Sequence, residues 1–331
     1  KREAAESGLG RWIPAISMLR GYRRAWLAKD LFAGLALTSV LVPVGMSYAE
    51  AAGLPAMTGL YASIAGLIGY ALFGPSRILI LGPDSALAAL VAAAIAPLSH
   101  GATGHTVALA SMLAIMAGLV CVAFGLMRLG FVSDLLSRPI RYGYLNGIAV
   151  TLMASQLPVL LGFSGRGATV LDNMTSVFYR VLAEQTHAAA AAVGLGCIVT
   201  ILIVRKYAPT LPGVFIVSIA ALGAGWWLRH ESHVPVPVIG PMPSGLTMPR
   251  VPLLSASELG NLFGGAFAIA LVSFADISVL SRVFASRKDR PTDRNHEIIA
   301  LGVANLLAGL FQGCPVSSSA SRTPVAQAAG A

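Results

Sequence analysis

Nine apolar runs of roughly 18 to 25 residues, with a tenth begun, constrain this chain more than any other feature. A helix of that length crosses a hydrocarbon core about 30 Å thick. The runs fall near 31–50, 54–73, 78–98, 106–127, 139–162, 187–204, 212–228, 259–281 and 297–313, and the tenth starts at Cys314. Hydrophobic residues make up 56% of the 331 and charged residues only 11%, with a mean hydropathy of +0.75. A soluble domain carries about a quarter charged residues. The expectation is an all-α polytopic membrane protein with the lipid bilayer as its main partner, and not an enzyme.

The formal charge of +9 does not point to nucleic acid, because the basic residues sit between apolar runs and form no stripe with interleaved aromatics. Their distribution gives an orientation instead. With the N-terminus inside, 18 of the 23 Lys and Arg fall in inside connections and four (Arg166, Arg180, Arg229 and Arg250) in outside ones. Cytoplasmic loops carry such an excess. Residues 1–29 therefore read as a basic cytoplasmic segment and 30–331 as a transmembrane domain, in a bacterial inner membrane. Nothing in the first 29 residues reads as a cleavable leader. The absence of an initial Met and the stop at Ala331, inside a patterned segment, suggest a piece of a longer protein. Cys121, Cys197 and Cys314 lie far apart with no His at ligand spacing, so free thiols are expected and no metal.

Arg322 alone belongs to neither loop set. Ionisable groups at membrane depth cost several kcal/mol unless paired or hydrated, and this chain offers few: Glu50, Asp84, Asp276 and Arg322. Glu50 ends the first run before Gly53-Leu54-Pro55, an interfacial position. Asp84 follows Ile78-Leu79-Ile80-Leu81 and the breaker Gly82-Pro83, and precedes an Ala-rich stretch from Ser85. This pattern reads as a short extended segment feeding a half-helix inside the membrane. The amides and positive dipole end of such a helix suit an anion. Equally, Asp84 or Ser85 could cap an ordinary helix at the surface near Arg77.

Gly313-Cys314-Pro315-Val316 followed by Ser317 through Arg322 repeats the pattern, with hydroxyls at Ser319 and Ser321, so the two half-helices would face each other from opposite sides of the membrane. A Ser-rich external loop with a solvated Arg is the alternative. Asp276, near the centre of the eighth run, must be neutral, paired or facing a cavity; it is a coupling carboxylate or a structural hydrogen-bond partner. Pro43 and Gly45, with Tyr48 one turn beyond, suggest a kinked first helix beside the cavity. Residues 170–185 pattern as an amphipathic helix, and the Pro-rich 234–253 as a hairpin or loop.

These residues resemble the SulP family of inorganic-anion transporters. The resemblance rests on Asp30 through Gly34, Val42-Pro43-Val44-Gly45-Met46-Ser47-Tyr48-Ala49, Gly53-Leu54-Pro55 to Ser63, Phe73-Gly74-Pro75-Ser76-Arg77, Gly82-Pro83, Leu301-Gly302 with Ala304-Asn305-Leu306, and Pro315-Val316 through Ser321-Arg322-Thr323. It implies a seven-plus-seven inverted-repeat fold, incomplete here, with short extended segments before the third and tenth helices. It also implies a core (spans one to four, eight and the start of ten) and a gate (spans five to seven and nine). Helices eleven to fourteen and the usual STAS domain are absent from this sequence.

By the same resemblance Tyr48, Gly82, Pro83, Asp84, Ser85, Ser319, Ser321 and Arg322 bind substrate, and Asp276, with Asp84, couples transport to a proton or sodium ion, no other cofactor being expected. An acidic Asp84 departs from relatives with an apolar residue there. The expected function is secondary active, elevator-type transport of a small anion of the sulfate, bicarbonate or dicarboxylate class, with homodimerisation left open. The competing function is a non-transporting membrane sensor or scaffold derived from a transporter.

Overall fold

The structure, a computed structural model, describes residues 13–99, 102–130, parts of 143–163, 170–183, 188–208, 213–230, 245–285 and 293–330. The chain divides into two compact units. The first comprises Lys1–Gly34, Leu41–Ser137 and Pro243–Ala331, and the second Leu35–Val40 and Arg138–Met242.

In the first unit α1 (Pro14–Arg20) leads to α2 (Arg24–Ala51), which runs through Pro43 without a break in the helix and whose residues 35–40 group with the second unit. Next come α3 (Ala56–Phe73), a two-residue strand β1 (Leu81–Gly82), the short α4 (Ser85–Ile95) and α5 (Thr103–Leu126). In the second unit the described helices are α6 (Val170–Leu182), α7 (Ala188–Tyr207) and α8 (Gly213–His230). The chain then returns to the first unit with α9 (Ala256–Ala285), α10 (Arg294–Leu310), β2 (Ser317–Ser318) and α11 (Arg322–Ala328). Five described helices, α2, α3, α5, α7 and α9, are long and apolar enough to cross a membrane. Most of the expected fifth span, 139–162, and the first part of the Pro-rich stretch lie outside the described residues. From Gly245 to Ser255 the chain is neither helix nor strand.

The first unit is built around α10, which packs against α5 and α3, while α9 packs against α5 and α4. Small residues make this possible. A Cβ on Gly118 of α5 would lie 2.7 Å from the Gly302 carbonyl of α10, and one on Gly302 would lie 2.7 Å from the Gly118 carbonyl. Lipid is as apolar as Leu, so helices in a membrane associate through such close backbone packing rather than by expelling water. Span nine, expected to group with spans five to seven, is α10, and these glycine contacts pack it in the first unit beside spans two and four.

The ends of these helices are specified locally. Ser255 and Glu258 form a reciprocal capping box at the start of α9: the Glu258 carboxylate accepts from Ser255 N–H at 2.8 Å, and Ser255 Oγ accepts from Glu258 N–H at 3.3 Å. Asp293 caps α10 by accepting from the Asn295 and His296 amides. At its other end Gln312 adopts a left-handed φ of 59°, and Gly313 N–H donates to Ala308 C=O at 2.8 Å. Gly313 then passes close over Ala62 of α3, which turns the chain back into the unit towards β2.

Candidate functional site

Two breaks in helical structure meet in the first unit. Leu81–Gly82 pairs antiparallel with Ser317–Ser318, with Leu81 opposite Ser318 and Gly82 opposite Ser317. Ser319 N–H donates to Ile80 C=O at 2.9 Å, and Ile80 N–H donates to Thr323 Oγ1 at 3.2 Å. Exposed backbone groups cost several kcal/mol in an apolar interior; each short segment supplies the partners that the other lacks. The third apolar run is thus only partly helical. Its first seven residues, 78–84, form this lead-in, and α4 is 11 residues long, about 16 Å or half a bilayer core.

A second device holds β2 in place. Asn305, buried on α10, donates through Nδ2 to Val316 C=O at 2.9 Å and accepts at Oδ1 from Val316 N–H at 2.9 Å. Its amide stands in for a strand neighbour. Sequence reading gave Asn305 no role, although a lone amide inside an apolar helix signals an unmet backbone group nearby.

Arg322 is the centre of the site. It is 1% exposed, with Nη2 donating to Pro83 C=O at 2.6 Å and Nε to Ser319 Oγ at 2.8 Å. Ser319 Oγ also accepts from the Arg322 amide at 3.2 Å and lies 3.3 Å from Ser321 Oγ. The guanidinium lies against Gly82, where a Cβ would come within 2.5 Å of Nη1. Nη1 itself is buried and has no hydrogen-bond partner among the described residues. The solvated-loop alternative for Arg322 is therefore overturned: β2 and Asn305 carry it into the interior.

Of the other sequence-predicted residues, Asp84 and Tyr48 act on this guanidinium, whereas Asp276 joins the site through Ser317. Asp84 caps α4, its carboxylate accepting from Ala86 N–H at 3.3 Å. It is also close enough to interact electrostatically with Arg322 and with Asp276. Tyr48, buried on α2, is a further group within electrostatic reach of Arg322. Asp276 is 6% exposed on α9 and accepts from Ser317 Oγ at 3.3 Å. Ser85 is the first residue of α4. Glu50 is exposed at the end of α2.

Sequence reading named the serine run but singled out neither Ser317, which touches Asp276, nor Thr323, which holds Ile80. It also passed over Glu297, a buried carboxyl whose Oε2 accepts from Tyr70 of α3; α10 begins three residues before the apolar run does, which draws Glu297 inside. Among the described residues no group of three or more His, Cys, Asp or Glu could hold a metal ion. A surface cavity of about 240 Å³, lined by residues such as Thr58, Tyr61, Thr247 and Gln312, shares no residue with the site.

Residues 27–331 match the model of the sulfate permease family. The chain belongs to that family. A probable sulfate transporter of Mycobacterium tuberculosis strain H37Rv is 38% identical over 319 residues, which is 96% of this chain and 56% of that protein. Human solute carrier family 26 member 6 is 32% identical over 340 residues, covering 96% of this chain and 44% of the relative. The chain thus spans about half the length of the curated relatives it matches. Among solved structures, SLC26A9 has a TM-score of 0.79 at 23% identity, over 99% of this chain and 55% of that one. The transmembrane domain of a cyanobacterial bicarbonate transporter, BicA, has a TM-score of 0.72 at 23% identity, over 93% and 79%. These two likenesses establish the helical transporter fold. With the family they make this chain part of an integral membrane protein.

Proposed function

We propose that the protein to which this chain belongs is a secondary transporter of a small anion, with sulfate first among the candidates. The observation that carries this reading is Arg322: a guanidinium buried in a membrane domain where two broken helices meet, with one nitrogen unpartnered among the described residues. A buried charged donor left without a hydrogen-bond partner is costly, and a bound oxyanion would offset that cost with charge-assisted hydrogen bonds. The name of the mycobacterial relative supports sulfate, and that of BicA keeps bicarbonate in the substrate class.

Asp84 bears on the mechanism. Its carboxylate already accepts from the start of α4, the place a substrate oxyanion would take. Substrate and Asp84 therefore compete for the Ala86 amide, and the anion enters when Asp84 turns away or takes up a proton. Asp276, held by Ser317 and close to Asp84, is the second coupling group, taking a proton or sodium ion as the anion arrives. Tyr48, Ser85, Ser319 and Ser321 complete the substrate set. Every one of these residues belongs to one compact unit, as expected for an elevator in which a substrate-carrying core moves against a gate.

Uptake of labelled sulfate, bicarbonate and dicarboxylates into proteoliposomes of the full-length protein, with and without proton and sodium gradients, tests the proposal. Saturable uptake of one of these anions is the expected result. Binding without flux under every gradient would refute it and leave a sensor.

A further inference from the structure

The helix α6 (Val170–Leu182) has no part in the site, yet its surface is sharply divided. Successive residues advance about 100° around a helix, which places Leu171, Met174, Phe178, Val181 and Leu182 along one stripe covering roughly a third of the circumference. All five are exposed, from 45% at Val181 to 75% at Leu171. A neighbouring sector faces protein: Val177 is buried, and the Arg180 guanidinium sits 5.6 Å from the ring centroid of buried Phe163. The remaining sector carries Asp172, Thr175 and Ser176, with the exposed amphipathic ring of Tyr179 between them. The helix is therefore held by its own unit along one side and presents an apolar side and a polar side to two different surroundings.

We infer that α6 lies along the membrane–water interface of the leaflet where α7 enters, its apolar stripe sunk among the lipid acyl chains. Three observations select lipid over a protein partner. At 13 residues the helix is about 20 Å long, too short to cross a core of about 30 Å. It ends at Leu182, and the membrane-crossing α7 starts at Ala188, so chain connection alone keeps it near the bilayer surface. The surface of α7 continues the same chemistry, with Leu195, Ile198, Val199, Leu202 and Ile203 all exposed. An amphipathic helix in that position buries its apolar face at the headgroup boundary. Asp172 and Arg180 are the acidic and basic residues of the helix. Their charges balance, so zwitterionic lipid suffices.

Spin labels read by power saturation test this in the full-length protein reconstituted in phosphatidylcholine vesicles. Oxygen concentrates in the bilayer and a nickel chelate stays in water. With Cys197→Ser removing the half-exposed thiol, and Cys121 and Cys314 buried, single labels go on Leu171→Cys, Phe178→Cys and Leu182→Cys, and on Asp172→Cys and Ser176→Cys. The ratio of oxygen to nickel accessibility is expected to be several-fold higher at the first three than at the last two. Equal nickel access at all five positions would place the stripe in water and overturn the inference. So would shielding of the stripe from both reagents, the signature of a covering protein surface or a second copy. The readout is independent of transport, so failure of the transporter proposal leaves it standing.

Discussion

Arg322 has a fixed geometry because three groups constrain it: the Pro83 carbonyl, the Ser319 hydroxyl and the bare face of Gly82. Arg322→Lys keeps a positive charge but cannot reach Pro83 and Ser319 together, since an ammonium has no planar fork. Anion affinity is therefore expected to fall by about tenfold or more, the loss of at least one charge-assisted hydrogen bond of roughly 1.5–3 kcal/mol. Titration of the detergent-solubilised full-length protein with sulfate measures it, and an unchanged Kd would remove Arg322 from the site. Asp276→Asn is expected to keep anion binding while abolishing the dependence of uptake on proton or sodium gradients, because the amide cannot carry a charge through the cycle. Gradient dependence that survives intact in that variant would make Asp276 a structural partner of Ser317.

Among the elements, β2 is held by an amide rather than by a sheet. Asn305→Ala leaves both the N–H and the C=O of Val316 buried and unpaired, at a cost of about 2–4 kcal/mol for two such groups. The expected outcome is a melting temperature lowered by several degrees, together with weaker anion binding, because β2 positions Ser319 and Arg322. Thermal unfolding with and without sulfate checks both parts; wild-type stability and affinity would show that β2 needs no such support. The α5–α10 contact makes a different demand. Gly118→Leu inserts a side chain where even a Cβ meets the Gly302 carbonyl at 2.7 Å, so the helices must separate. Loss of monodisperse protein on size-exclusion chromatography is expected, whereas Gly104→Leu, at a glycine with open space around it, is tolerated.

At the scale of the whole molecule, the distribution of Lys and Arg predicts a cytoplasmic N-terminus and alternation of sides at each connection. Accessibility of single cysteines to a membrane-impermeant maleimide in intact cells decides this: a cysteine in the loop near Gly245 reacts from outside, and one near Lys29 reacts only after lysis. The reverse pattern would invert the orientation and require another explanation for the basic loops. All the candidate site residues fall in the first unit. The glycines of α5 and α10 explain why span nine joins that unit, a feature invisible to hydropathy because Gly118 and Gly302 meet across 184 residues of sequence.

Hydropathy and charge by themselves determined the class of molecule, most of the span positions and the existence of two broken segments, because lipid imposes one rule on every residue it touches and that rule is legible at any point along the chain. Pairs were not legible. That Ser317 would face Asp276, that Asn305 would complete a strand, and that the guanidinium of Arg322 would lie on Gly82 depend on which surfaces meet, and the closeness of those meetings is set by single missing methyl groups. The sequence marked Arg322 and Asp84 as costly to bury. Only the tertiary structure decided what offsets the cost, since a buried charge is tolerated or not according to the few atoms within about 3 Å of it.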